Sequence, residues 1–282
     1  MVNGFSKAVI SCALVTLMMT FALPDTASAA NDRFKEVLQR GTLRVGVQGA
    51  LRPWSYRDSD GHLVGIEPDL AADVAETLGV KLELVQIETA NRMEFLKQGN
   101  IDLIIGAMSD QPSRRKVVSM VQPYYWISGV NVLAKKGVIS SWDDIRGKPV
   151  CAKQGSYFID PVERTFGATF VSFPADAESK QAFRSGKCVA WVSDDTTIQQ
   201  SIAAGEWDGY EMPLETKFLS YWSVGVPLEE GNGIWGRFMS GMVTYWQREG
   251  KLVELSAKWG VEPSPWLLDQ HKRFEELLKK PE

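Results

Sequence analysis

Histidine is scarce in this sequence: His62 and His271 are the only two among 282 residues. His62 follows a turn signal and His271 sits in a charged C-terminal segment, so neither a Ser-His-Asp nor a Cys-His arrangement has a well-placed base. Nowhere do His, Cys and carboxylates fall at metal-ligand spacing, so no metal is expected. A basic excess is lacking too. Thirty-one Lys and Arg stand against 35 Asp and Glu, a net charge of -4, which offers no field to a phosphate backbone and argues against nucleic acid as a partner. Gly231-Asn232-Gly233-Ile234-Trp235-Gly236 fits the dinucleotide pattern by letter. It does not open the first βα unit, however, and no strand with a ribose-binding acid follows it. No cofactor is expected.

What is present is the balance of an ordinary globular protein, 44% hydrophobic and 23% charged, which excludes disorder and a multispan membrane protein and suits one or two α/β units. The long apolar run is Ala8 to Leu23, preceded by Lys7 and followed by Ala27-Ser28-Ala29. A charged start, an apolar middle and a small-residue cleavage site make residues 1–29 a secretory signal peptide and predict a periplasmic protein. The alternative is a retained anchor, for which the run is shorter than the ~20 residues a span prefers. Cys12 would leave with the signal. Of the three cysteines, Cys151 and Cys188 remain, either joined as a disulfide in an oxidising compartment or kept as two buried thiols.

Periodicity organises the rest. Asp32 to Arg40 reads as a short amphipathic helix stopped by Gly41, and Thr42 to Val47 as a strand. Pro68 to Leu78 is helical with Gly79 as its stop, Lys81 to Ile87 alternates, Asn91 to Gln98 is a helix ended by Gly99, and Ile101 to Ile105 suits a central parallel strand. That rhythm predicts an open parallel sheet. A smaller α/β unit follows, with Val130 to Ala134 extended, a helical turn at Trp142 to Ile145, and strands at Lys148 to Ala152 and Cys188 to Val192 flanking a helix near Glu178 to Arg184. Leu219 to Val226 reads as one strand. Gly233 to Gly250 is an amphipathic helix whose Trp235, Phe238, Met239, Met242 and Trp246 form a core stripe. Returning the C-terminal helices to the first sheet makes the chain cross twice. The expected organisation is therefore lobe 1 over residues 30–131, lobe 2 over 132–220 and a return to lobe 1 over 221–282, hinged near Asn131 to Leu133 and Ser220 to Trp222.

The most informative stretch is Gly106 to Arg114. An apolar strand ends in Gly106-Ala107-Met108-Ser109, and Pro112-Ser113-Arg114-Arg115 opens a helical turn. Backbone N–H groups, a hydroxyl and an arginine are thereby placed at the carboxyl edge of the sheet, where open α/β sheets bind ligands. An arginine there holds a carboxylate bidentately, a contact worth about 1.5 to 3 kcal/mol. Arg115, its neighbour, reads as a solvated charge.

With these residues in view the chain resembles the periplasmic polar-amino-acid-binding proteins that serve ABC importers, a likeness covering nearly all of the mature chain. It is carried by Leu43-Arg44-Val45-Gly46-Val47, Pro53-Trp54-Ser55-Tyr56, Gly61-His62-Leu63-Val64-Gly65-Ile66, Asp69-Leu70, Asp102-Leu103-Ile104-Ile105, Arg114, Gln122-Pro123-Tyr124-Tyr125, Gly147-Lys148, Gln154-Gly155-Ser156 and Ser193-Asp194-Asp195. The resemblance implies a two-lobed periplasmic-binding-protein fold of type II, each lobe an open, mostly parallel sheet with flanking helices, joined by a two-strand hinge. It further implies a monomer that binds a small-molecule ligand and docks on a membrane ABC permease, without a cofactor.

By the same resemblance Arg114 takes the ligand α-carboxylate, helped by Ser109 and the backbone at Ala107, with Met108 beside them. The loop Gln154-Gly155-Ser156-Tyr157 supplies further contacts through Ser156 and Tyr157. Asp194 takes the α-ammonium, with Asp195 as its rival, and Trp54 packs over the ligand or caps the lobe. Asn91-Arg92 matches a pair in relatives that take acidic or broadly polar amino acids, so Arg92, Lys153 and Arg52 favour glutamate or aspartate. Gln48 departs from the arginine of glutamate-binding relatives. Some relatives also have counterparts of Cys151 and Cys188. The rival reading is an exported enzyme on the same fold, similar to the cyclohexadienyl dehydratases, with Glu67, Glu88 or Asp176 as general acid.

Overall fold

Helix α1 (Arg33–Arg40) forms where the pattern predicts it, because its two ends are chemically closed. The Asp32 carboxylate accepts the Lys35 N–H at 3.1 Å, and Gly41, left-handed at φ 66°, returns its N–H to the last turn. The coordinates are a computed structural model and, apart from Met1, describe residues 32–279. The expected signal peptide lies outside the described residues.

The first lobe is built from β1 (Thr42–Gln48), the small antiparallel set β2 (Ala50–Leu51), β3 (Ser55–Arg57) and β4 (Leu63–Val64), then α2 (Ile66–Leu78), β5 (Lys81–Ile87), α3 (Arg92–Lys97), β6 (Leu103–Ile104) and β7 (Val118–Met120). The second holds β8 (Trp126–Lys135), β9 (Pro149–Lys153), α4 (Ile159–Phe166), β10 (Thr169–Phe173), α5 (Asp176–Arg184), β11 (Ala190–Asp194), α6 (Asp195–Ala203), β12 (Tyr210–Glu211) and β13 (Lys217–Trp222). The chain then gives β14 (Gly225–Pro227), α7 (Ile234–Arg248), α8 (Lys251–Lys258) and α9 (Pro265–Lys279). One sheet runs β5-β1-β6-β14-β7; the other runs β10-β9-β11-β8-β12, with β13 also on β8. Strands β5, β1 and β6 are parallel, as are β10, β9 and β11.

Both sheets are buried by apolar side chains. Val45, Val47, Leu70, Val74 and Leu103 pack with Trp235, Met239, Val243 and Trp246 of α7 in the first lobe, so the aromatic stripe of α7 is core, as its spacing predicts. In the second, Val130, Val132, Val150, Ala152 and Val192 pack with Phe158 and Val162. Cys151 and Cys188 are joined as a disulfide with Cα atoms 5.6 Å apart.

Three readings change. The apolar run 101–105 is strand only at Leu103–Ile104, because Asp102 replaces a ladder partner: its carboxylate accepts the Arg44 backbone N–H at 2.8 Å. Arg33, Arg40 and Arg44 all converge on that carboxylate, which is fully buried. The stretch 219–226 is two strands in different sheets, since Ser223 breaks the run by donating its N–H to Met108 O at 2.9 Å and its hydroxyl to Val121 O at 2.7 Å. Finally, Asn131 and Leu133 lie within the second sheet, paired with Ser193 and Trp191. The chain crosses earlier, where Trp126 at the start of β8 faces Trp222 at the end of β13. Lobe 2 also carries α4, β10 and α6, which periodicity did not resolve.

The disulfide closes a loop of 37 residues of sequence separation, which the chain-entropy account values at about 4 kcal/mol. Reduction is expected to lower the thermal midpoint by several degrees in a melt followed by circular dichroism with and without reductant. Equal midpoints, with two thiols titrating after reduction, would contradict that value.

Candidate functional site

Five strand ends meet between the lobes. Gln48 closes β1, Thr89 follows β5, Ala107 follows β6, Lys153 closes β9 and Asp194 closes β11. These are carboxyl ends of strands in two open sheets facing one another, the edge at which such sheets take ligands. Together with Arg92, Ser109, Arg114, Ser156 and Tyr157 they line one small polar cavity. A wider cleft mouth of about 880 Å³ adjoins it, sharing Arg114, Ser156 and Tyr157.

Eight of the ten ligand-contact residues expected from the sequence are thus brought together: Gln48, Arg92, Ala107, Ser109, Arg114, Ser156, Tyr157 and Asp194. The other two are not. Trp54 is 0% exposed and packs edge-on against Trp126 and Trp222, so it seals the place where the strands leave lobe 1 and does not roof a ligand. Met108 is turned into the cluster of Ile87, Leu96 and Ile104, away from the cavity that its neighbours Ala107 and Ser109 line. Thr89 was missed; its place just past the end of β5, at the same sheet edge as Gln48, was the available signal.

Arg114 opens a short 3-10 turn and is 7% exposed. Its Nη1 donates to Ser109 O at 2.7 Å and its Nη2 reaches across the cleft to Gly155 O at 3.1 Å. Burial pulls its pKa down to about 10, while the Asp194 carboxylate works against that pull. Arg115 stays outside, paired with Asp110, as a solvated charge would.

Arg92 is 1% exposed and no surface charge. Its Nη1 donates to Gly106 O at 2.6 Å and Ala107 O at 3.3 Å, and its Nε finds no partner among the described residues. Burial, then the charge of Arg114, lowers its pKa to about 9. Ala107 takes an uncommon left-handed φ of 49°. Its N–H is occupied, donating to Glu67 Oε1 at 2.6 Å and Tyr125 Oη at 3.0 Å. Glu67 is fully buried, its Oε2 has no hydrogen-bond partner among the described residues, and burial pushes its carboxyl up to about 7 against the hydrogen bonds from Tyr125 and Ala107.

The two adjacent aspartates of lobe 2 differ sharply. Asp195 accepts from the Ser128 hydroxyl at 2.7 Å, from the N–H of Gly129 and of Thr196, and from the Thr216 hydroxyl at 3.0 Å. It is consumed in bracing α6 against β8. Asp194 lines the cavity, and its buried Oδ1 has no hydrogen-bond partner among the described residues. Burial pushes its carboxyl up to about 7, with Lys153 opposing, Asp195 and Asp176 adding to the rise, and Arg114 also opposing. Lys153 is buried between the Asp176 carboxylate at 2.8 Å and the Gln48 amide oxygen at 2.7 Å, which belongs to the other lobe. The cleft therefore holds cations from both lobes and a free carboxylate from one.

The sequence profile of the bacterial extracellular solute-binding proteins, family 3, matches residues 43–262. The chain belongs to this family. It is similar to the L-cystine-binding protein TcyJ of Escherichia coli K12, 28% identical over 79% of this chain and 84% of that one. It is also similar to the glutamate/aspartate import solute-binding protein of Salmonella typhimurium LT2, 25% identical over 86% of this chain and 83% of that one. Among solved structures, the ancestral amino acid-binding protein AncCDT-1, a precursor of cyclohexadienyl dehydratase, superimposes with a TM-score of 0.72 at 24% identity, covering 80% of this chain and 98% of that one. The two-lobed fold of type II is therefore that of the family. No helix among the described residues is long and apolar enough to cross a membrane.

Because the folded-state pKa of Glu67 lies above its ordinary value, its contribution to stability is complete below pH 4.5 and is lost as pH rises through about 7. Glu67→Gln should remove up to about 3 kcal/mol of that decline between pH 4 and 8, read from urea midpoints. Wild-type and variant profiles of equal slope would show that Glu67 titrates normally.

Proposed function

We propose that this protein captures an acidic L-amino acid between its lobes and delivers it to an ABC-type importer from the periplasmic side of the membrane. The carrying observation is the charge set of the cavity. Arg114 of lobe 1 and Asp194 of lobe 2 line the same cavity, so a zwitterion joins them, its carboxylate on the arginine and its ammonium on the aspartate. Such a ligand makes contacts with both lobes only when they are closed, and it shifts the population toward that form. Lys153 is balanced by Asp176. Among the described residues Arg92 spends its hydrogen bonds on backbone carbonyls and not on a carboxylate, and an anionic ligand side chain supplies a direct counter-charge. Support comes from the relative named for glutamate and aspartate import.

The enzyme reading is less well served. Glu67 is committed to Tyr125 and Ala107 and does not line the cavity, Asp176 is paired with Lys153, and Glu88 does not line the cavity either. A general acid needs a reachable proton. The curated relatives that match most of the chain are named as binding proteins. We read the chain as a binder working as a monomer, with its lobes pivoting where β8 and β13 cross.

Titration calorimetry of the mature protein with L-glutamate and L-aspartate tests the reading. Arg114→Ala is expected to weaken binding by about ten- to a hundredfold or more, the worth of a charge-assisted pair; unchanged affinity would remove Arg114 from the site.

Since the ammonium needs an ionised Asp194, affinity is expected to fall as pH drops from 7 toward 5, by up to about tenfold per unit. In Asp194→Asn that dependence should vanish along with most of the affinity. A pH-independent wild-type affinity would place the ammonium elsewhere.

A further inference from the structure

Strand β13, which carries the chain from lobe 2 back to lobe 1, is irregular beside the cleft. Lys217 pairs with Val130 and Ser220 with Ser128, so Phe218 and Leu219 together stand opposite Gly129 alone. This is a bulge, a device that bends a strand and re-aims its side chains. Phe218 takes a left-handed φ of 48°, a conformation that is uncommon and costly for a bulky residue. Gly129 makes room for it: a Cβ there would lie 2.3 Å from Thr216 Cγ2 and 2.9 Å from the Lys217 carbonyl oxygen. Asp195 holds the shoulders of the bulge, accepting the Gly129 N–H at 3.2 Å and the Thr216 hydroxyl at 3.0 Å.

Two loops that line the ligand cavity are fastened to this strand. From lobe 2, the Tyr157 hydroxyl donates to the Phe218 carbonyl oxygen at 2.9 Å. Tyr157 lines the cavity, yet its hydroxyl is engaged by the strand. From lobe 1, the stretch leading to Arg114 runs along the next residues of β13. Ser109 bridges to Trp222, the Asp110 N–H donates to Tyr221 O at 2.9 Å, and Gln111 Nε2 donates to Ser220 Oγ at 3.3 Å. Gln111 O in turn accepts the Arg114 N–H at 3.0 Å. The attachments of the two loops thus follow one another directly along the strand, and the bulge fixes their spacing and direction.

We propose that Tyr157 is a positioning residue: by holding the Phe218 carbonyl it keeps the crossing strand bulged, and through that strand it sets where the Arg114 turn of lobe 1 stands against the ligand loop of lobe 2. The inference rests on the amino-acid-binding reading above. A strand that relaxes lets the two loops drift apart, which weakens every ligand that both loops hold. The hydroxyl therefore governs how firmly the cleft grips and not which side chain it accepts.

The test measures L-glutamate and L-glutamine by titration calorimetry on the wild type and on Tyr157→Phe, which removes the hydroxyl and keeps the ring. The variant is expected to lose about three- to tenfold in affinity for both ligands, the worth of one hydrogen bond, with the ratio of the two affinities unchanged within about twofold. The same substitution is then made in a Phe218→Gly background. Glycine adopts the left-handed conformation without steric cost, so the bulge no longer needs holding, and Tyr157→Phe is expected to cost less than about twofold there. Equal losses in both backgrounds would overturn the proposal, because the hydroxyl would then act on something other than the bulge. An affinity untouched by Tyr157→Phe, or a loss confined to one ligand, would overturn it as well. In each of those cases the wild type still binds, so the positioning role falls and the binding reading stands. If the wild type binds neither amino acid, the binding reading falls and this inference with it.

Discussion

Uncompensated positive charge held out of water is the constraint around which this cleft is arranged. Arg92 and Arg114 are nearly inaccessible, and their pKa values of about 9 and 10 record how poorly the protein alone solvates them. Burying a cation without a partner is costly, and the fold limits the cost with backbone carbonyls from Gly106, Ala107, Ser109 and Gly155. Carbonyl dipoles orient a guanidinium without neutralising it, so the attraction for an anion survives. The rest of the site follows: Glu67 fixes the N–H of Ala107, which fixes the loop whose carbonyls hold Arg92, and Tyr125 ties that loop to the first crossing strand.

The first lobe was legible because its signals are local and agree with one another. Asp32 and Gly41 bracket α1, Gly79 ends α2, and Lys81 to Ile87 alternates, so capping and periodicity converge on the elements that form. The failures occur where a side chain overrides the backbone pattern. Nothing in the apolar run at 101–105 announces that the Asp102 carboxylate takes the place of a ladder partner. Nor does 219–226 announce that Ser223 will bend away to Met108 and Val121, since both partners lie about a hundred residues earlier in the chain. Long-range hydrogen bonds leave no periodic trace.

The site was legible for a different reason. Arg114, Ser109 and Asp194 were located by their position at strand ends and by resemblance, and the fold brings them to one cavity. Trp54 stays open between packing over a ligand and capping the lobe in the sequence, because an aromatic beside a cleft and an aromatic beneath a crossing point have the same signature; its neighbours Trp126 and Trp222 favour the second. Asp194 and Asp195 are equivalent in composition, and the hydrogen bonds of Ser128, Gly129 and Thr216 to Asp195 separate them.

The order of strands in the first sheet bears on how the chain is assembled in time. Strand β14 sits between β6 and β7, yet it is made more than a hundred residues after either of them begins. The second sheet draws all its strands from the interval between Trp126 and Trp222. A chain emerging from its amino terminus can therefore complete the second sheet while the first still has a gap in its row. Closing that gap brings together strands at the ends of a long loop, with the entropy cost and slow pairing such loops impose. The lobe that begins the sequence is thus the one whose sheet is completed last along the chain.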